Sequence, residues 1–189
     1  AGRPAVFCRF AGCNLWSGRE EDRAGADCTF CDTDFVGMND DGGRYAGADD
    51  LADRAAALWG PAAGPRYVVL TGGEPLLQVD TALIDALHAR DFEIAIESNG
   101  TIAAPPGIDW ICISPKAGTQ VVQRQGNELK LVYPQTGLHP DDVAGWAFDH
   151  FFLQPRDGPS LRDNQQAAIR FIYSHPRWRL SVQTHKLIG

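Results

Sequence analysis

The sequence predicts an α/β fold on a mostly parallel sheet, arranged as a reduced or partly open barrel. Three observations carry that prediction. Apolar strand-like runs alternate with helix-like segments over most of the 189 residues, which favours parallel strands joined by right-handed crossovers. Several runs end in polar corners containing Gly or Pro: TGGEP, ESNG, SPK and LQPRD. Parallel α/β folds place their active sites at such carboxyl ends. The links between the middle strands are too short for full helices, which argues against a complete barrel.

Taken in order, Pro4 to Phe10 (PAVFCRF) is apolar enough for a first strand. Residues 11–48 follow with little periodicity and many Gly, Asp and Asn. So long an irregular span implies a task, and binding an inorganic cofactor is one. Asp49 or Asp50 caps a helix reaching Trp59, with Leu51, Ala55 and Leu58 on its buried face. Val68 to Leu70 is a buried strand delivering the glycines of TGGEP. Asp80 caps a second helix, striped by Leu83, Ile84 and Leu87. Phe92 to Gly100 reads as strand and glycine loop, and Asp109 to Lys116 as strand and Ser-Pro-Lys turn. Glu128 to Pro134 is a further strand. His139 to Phe148 is read as a short helix, His150 to Pro155 as a strand, Leu161 to Tyr173 as a helix and Trp178 to Gln183 as the last strand. No repeat or linker divides the chain, so residues 1–189 are expected to form one domain with an extended loop at 11–48.

Composition narrows the function classes. With 44% hydrophobic and 22% charged residues, the chain is an ordinary folded one. A formal net charge of -7 supplies no cationic footprint for nucleic acid or an anionic membrane. No apolar run reaches the roughly 20 residues a bilayer span requires, and AGRPAVFCRF does not read as a secretory signal. Five cysteines, three of them in one loop, argue against a disulfide framework and fit a reducing cytoplasm.

Those three are Cys13, Cys28 and Cys31. Thiolates are soft ligands that select zinc, copper(I) or iron–sulfur clusters. The residues alone leave three readings open. Zinc completed by a fourth group such as a histidine would give a metal-stapled binding module. Unrelated loop thiols would have no joint role. A four-iron cluster held by three ligands would leave one iron open for another molecule. Cys8 and Cys112 lie inside apolar strand patterns and read as core residues.

FAGCNLW, CTFCDTDF, TGGEP, ESNG, ISPK, LQP and the closing QTHK occur in this order along nearly the whole chain. Together they resemble the 7-carboxy-7-deazaguanine synthase family of radical S-adenosylmethionine enzymes. Most of that superfamily spaces its cysteines C-x3-C-x2-C, whereas this chain has fourteen residues in the first gap. In the resembled family the first interval is variable, so the departure does not remove the cluster.

The resemblance implies that Cys13, Cys28 and Cys31 bind a [4Fe-4S] cluster, with S-adenosylmethionine on the fourth iron. It places Phe30, Asp32, Gly73, Glu74, Ser98, Asn99, Ser114, Pro115, Lys116, Gln154, Pro155, Arg156 and Asp157 around that cosubstrate. Gly72 and Gly73 are expected to let the backbone approach a ligand closely, and Glu74 to accept from the methionyl ammonium. Thr33 falls at the family's magnesium position, with Asp32 and Asp34 orienting the loop or the metal's waters. The implied substrate is 6-carboxy-5,6,7,8-tetrahydropterin, contacted by Arg9, Thr71, His185 and Gly189, with Lys186 nearby. Its product is 7-carboxy-7-deazaguanine, formed by ring contraction and loss of ammonia in queuosine biosynthesis. Relatives carry a strand and a QGEG-like pterin-binding segment ahead of the position of Ala1, so the chain is expected to be N-terminally incomplete. An external electron donor and a homodimer are also implied. A glycyl-radical activating enzyme acting on a partner protein is the other enzyme reading the thiols allow.

Overall fold

Period-two alternation decides which face of each strand is covered. In β3 (Phe92–Ser98), Phe92, Ile94 and Ile96 fall on one side, and Glu93, Ala95 and Glu97 on the other. β2 (Arg66–Gly72) repeats the pattern, with Val68 and Leu70 on the first side. The computed structural model describes residues 2–37, 42–61 and 64–184. Within them, these strands join β1 (Val6–Phe10), β4 (Trp110–Ile113), β5 (Gln125–Tyr133), β6 (Ala147–Pro155) and β7 (Trp178–Leu180) in one seven-stranded sheet, ordered as in the sequence. Every pairing is parallel. β1 and β7 do not pair with each other, so the sheet is open and not closed into a barrel.

Among the described residues, four α-helices accompany the sheet: α1 (Ala48–Trp59), α2 (Thr81–His88), the four-residue α3 (Pro140–Val143) and α4 (Leu161–Ser174). Ala52 and Ala55 of α1, with Leu83, Ile84 and Leu87 of α2, pack against Val68, Leu70, Ile94 and Ile96. A second core gathers Val143 of α3 and Ala168 of α4 onto Leu129, Leu131, Phe151, Leu153 and Trp178. Helices therefore cover one face of the sheet, and the alternate residues line the other. The links from β3 to β4 and from β4 to β5 carry no helix, as their shortness predicted.

Several expectations are corrected. Neither Asp49 nor Asp50 caps α1, whose N-cap is Gly47 without a side-chain bond. Asp50 accepts from the Ala46 amide at 3.2 Å, and Asp49 instead pairs with Arg90 beyond α2 at 3.1 Å. Leu58 is 51% exposed because the buried stripe of α1 runs through Ala52 and Ala55. The helix begun at His139 stops at Val143, since Phe148 already belongs to β6 and Ala147 pairs with Gln125. β7 ends at Leu180, and Gln183 instead donates to Asp32 at 2.9 Å. Asp80 does cap α2, accepting from the Leu83 amide at 2.9 Å. Cys8 packs, partly buried, on the helix-covered core. Cys112 is buried on the opposite face, in register between Glu97 and Glu128.

Candidate active site

The cysteine loop leaves β1 and is pressed against the exit of β2. The Gly73 amide donates to Phe10 O at 3.0 Å and the Glu74 amide to Gly12 O at 2.9 Å. A Cβ on Gly73 would lie 2.0 Å from Gly12 O, and one on Gly72, at φ +120°, would lie 2.3 Å from Phe10 O. Only glycine fits either position. The close approach anticipated at these glycines is thus made by the protein's own backbone, and it seats Cys13 against β2.

Glu74 is fully buried and joins three segments. Its Oε1 accepts from Ser98 Oγ at 2.8 Å and the Leu76 amide at 3.0 Å, and Oε2 from the Asn99 amide at 2.8 Å. Burial pushes this carboxyl above its ordinary range, against the opposing pull of those bonds and of Lys116. Asn99 in turn donates to Asn14 Oδ1 at 3.0 Å and accepts from Thr101. The ESNG corner is therefore fastened both to TGGEP and to the cysteine loop through Asn14. Asn14 is a contact that sequence reasoning missed.

The three thiols sit in this frame. Leu15 N–H points at Cys13 Sγ, 3.4 Å away. Burial raises the Cys13 thiol, offset in part by the amides of Leu15 and Trp16, and Cys31 lies close enough to add its charge. Burial likewise raises Cys28, while the Lys116 ammonium pulls it back. All five cysteines are reduced. Among the described residues, no three His, Cys, Asp or Glu side chains gather as they would around a single ion. Three soft donors in one loop, with amides beside Cys13 and the Lys116 ammonium beside Cys28, fit a polynuclear iron–sulfur group. Thr33 lies two residues past Cys31, and its carbonyl accepts weakly from Cys31 Sγ at 3.9 Å. Phe30 is half-buried in the same turn.

The helix-free face carries a polar layer. Arg9 lies beside Thr71, Glu97 beside Cys112, Cys112 beside Glu128, and Val132 beside Gln154. Lys130 Nζ reaches across from β5 to Glu97 Oε1 at 2.9 Å. Burial would raise the Glu97 carboxyl, but Lys130, then Arg9 and Lys116, more than offset it and leave it below the usual range. Burial would lower the Lys130 ammonium, yet Cys112, Glu97 and Glu128 together hold it high. Neither Glu97 nor Lys130 was singled out from sequence. The available signal was a charge at Glu93 and Glu97 of FEIAIES and at Glu128 and Lys130 of ELKLVYP, each alternating with mainly apolar residues on the other face.

The remaining corners close round the same end of the sheet. Lys116 Nζ folds back to donate to Ser114 O at 2.6 Å and Ser114 Oγ at 2.8 Å. Burial lowers its ammonium, while Cys28 and Cys31 are near enough to oppose that. Gln135, also missed, braces this turn by donating to Pro115 O at 3.2 Å and accepting from the Ala117 amide at 3.1 Å. At the end of β6, Pro155 is buried and the Arg156 amide donates to Tyr133 O at 2.8 Å, with exposed Asp157 following. His185, Lys186 and Gly189 lie outside the described residues.

An open parallel sheet bearing three thiols on the loop after β1 defines a class, and comparison with known families agrees. Residues 24–128 match the family described as the Radical SAM superfamily, a class whose members use a [4Fe-4S] cluster and S-adenosylmethionine. The chain is 65% identical over 190 residues to a 7-carboxy-7-deazaguanine synthase from Bradyrhizobium diazoefficiens, covering 100% of this chain and 90% of that one. It is 61% identical over 190 residues to the protein of that name from Bordetella pertussis, with the same coverage. The solved structure described as "Crystal structure of QueE from Escherichia coli" aligns with a TM-score of 0.69 at 26% identity, covering 96% of this chain and 86% of that one. The chain belongs to the 7-carboxy-7-deazaguanine synthase family. That membership displaces both the zinc-stapled module and the glycyl-radical activase.

Proposed function

We propose that the protein converts 6-carboxy-5,6,7,8-tetrahydropterin to 7-carboxy-7-deazaguanine, with ring contraction and loss of ammonia, in queuosine biosynthesis. The observation that carries this reading is 65% identity over the whole of this chain to a synthase of that name, and the cysteine loop's hydrogen bonds to the TGGEP and ESNG corners support it. Cys13, Cys28 and Cys31 would hold the [4Fe-4S] cluster, and Gly73, Ser98, Asn99, the Ser114–Lys116 corner and Gln154–Asp157 would surround S-adenosylmethionine. Bound together, the cluster and cosubstrate supply one-electron hydrogen abstraction; the chain supplies position.

Each polar group then has a task. Glu74 orders the TGGEP and ESNG corners, since its oxygens already take three protein hydrogen bonds. Arg9 receives the substrate carboxylate in a bidentate pair, and Thr71 beside it offers a neutral partner. Glu97, kept ionised by Lys130, accepts from N–H groups of the pterin ring. Thr33 would offer magnesium a hard oxygen ligand, with Asp32 and Asp34 helping to orient the loop around it. Phe30 packs near the adenine. His185 and Gly189 complete the substrate contacts. We further propose one domain spanning 1–189, a homodimer, a cytoplasmic setting and an external electron donor. No described helix is long and apolar enough to cross a membrane.

The test is anaerobic reconstitution with iron and sulfide, followed by S-adenosylmethionine, reductant, magnesium and the carboxytetrahydropterin, with products read by mass spectrometry. The expected result is the mass of 7-carboxy-7-deazaguanine without matching consumption of S-adenosylmethionine. An intact four-iron cluster that yields no such product overturns the pterin assignment.

A further inference from the structure

The fourteen residues between Cys13 and Cys28 do not hang free. They make a 3-10 turn, Glu20–Gly25, in which every residue except Arg23 is exposed. Trp16, 7% exposed, anchors the segment. It meets Phe35 edge-on at 5.6 Å and donates from Nε1 to Arg19 O at 3.1 Å. The Arg23 guanidinium lies over the Trp16 ring, 4.0 Å from its centroid, and divides its donors. Nε and Nη2 go to the Glu20 carboxylate. Nη1 donates to Thr29 O at 3.1 Å and to Cys31 O at 3.2 Å. On the other side, Leu15 O accepts from the Cys28 amide at 3.3 Å.

Two carbonyls of the Cys28–Cys31 turn thus hang on one side chain from the insertion. An exposed ion pair alone would contribute little. Arg23 is different because its side chain is 26% exposed and its planar fork rests on an aromatic face.

We propose that Arg23 is a positioning residue for the cysteine triad, holding Cys28 and Cys31 in register with Cys13 and setting, by its charge, the reduction potential of the cluster they carry. This rests on the radical SAM reading of the thiols. The guanidinium supplies geometry through its two carbonyl bonds and potential through its charge, with Glu20 tempering the latter. A nearby positive charge favours the reduced cluster and a negative charge opposes it.

Wild type, Arg23→Met, Arg23→Lys and Glu20→Gln are reconstituted anaerobically and checked for folding by circular dichroism before loading. Iron and sulfide per chain, the rate of bleaching by a chelator, and the midpoint potential from a redox titration followed by electron paramagnetic resonance are then measured. Arg23→Met should lose its cluster about 10-fold faster and titrate at a more negative potential. Arg23→Lys should bleach at an intermediate rate with a near wild-type midpoint, because the charge stays and the fork is lost. Glu20→Gln should shift the midpoint the opposite way, to more positive values. Wild-type bleaching in Arg23→Met, or midpoints unmoved in both Arg23→Met and Glu20→Gln, overturns the proposal. If Arg23→Met folds but takes up no cluster, the positioning role stands and Glu20→Gln decides the electrostatic one. A wild-type chain that binds no four-iron cluster sinks the radical SAM reading instead.

Discussion

Glu74 and Glu97 are both carboxylates of strand ends, yet their surroundings push them in opposite directions. Glu74→Gln replaces one acceptor oxygen by an NH2 that must face an N–H or O–H donor from Asn99, Leu76 or Ser98. The expected cost is about 1–3 kcal/mol, the penalty of a buried unsatisfied group, measured by urea unfolding of the apoprotein. Wild-type stability in that variant would refute the hub. Glu97 titrates below its ordinary range in the folded chain because Lys130 outweighs burial. Its pairing therefore adds stability above the unfolded carboxylate's range, near pH 4, and loses it as pH falls through the lower folded value. Lys130→Met removes the partner, so Glu97 rises. The side chain is 42% exposed, so solvent screens part of the loss, and about 1–2 kcal/mol is expected at neutral pH. The gap from wild type should narrow on acidification. Unfolding curves at neutral and acidic pH check this, and a pH-independent gap would count against the pair.

At the scale of elements, the decisive junction is between the loop leaving β1 and the exit of β2. A methyl group at Gly73 would collide with the Gly12 carbonyl, which is backbone and has no rotamer by which to escape. Gly73→Ala should therefore lift the cysteine loop from the sheet, lowering both melting temperature and iron uptake. The same substitution at Gly145, where nothing lies within 4 Å of an added Cβ, should leave both nearly unchanged. Equal effects at the two glycines would mean that the close approach does not govern cluster seating.

For the whole molecule, an open sheet leaves its polar layer uncovered by any helix among the described residues. Ligands that fill that layer should then act as missing structural mass. Adding S-adenosylmethionine to the cluster-loaded chain should raise its melting temperature, with about 2.7 kcal/mol of stabilisation at a hundredfold excess over the dissociation constant. Apoprotein lacking the cluster should respond far less. Equal shifts with and without the cluster would place the cosubstrate away from Cys13, Cys28 and Cys31.

Much of this protein was legible from its residues alone. The order of strands and helices, the helix-poor middle links and the cap at Asp80 all follow from local periodicity and turn chemistry. The ordered motifs pointed to the family because their residue types serve chemistry that tolerates few substitutes. Tertiary structure decided what depends on register between distant strands. Glu97 meets Lys130 only because β3, β4 and β5 pair in one alignment. Gly73 answers to a backbone six decades of sequence position away, and Leu58 faces solvent because Ala52 and Ala55 take the helix contact. Local sequence sets which conformations are cheap; which distant side chains meet is set by non-local packing, as where Lys130 reaches Glu97.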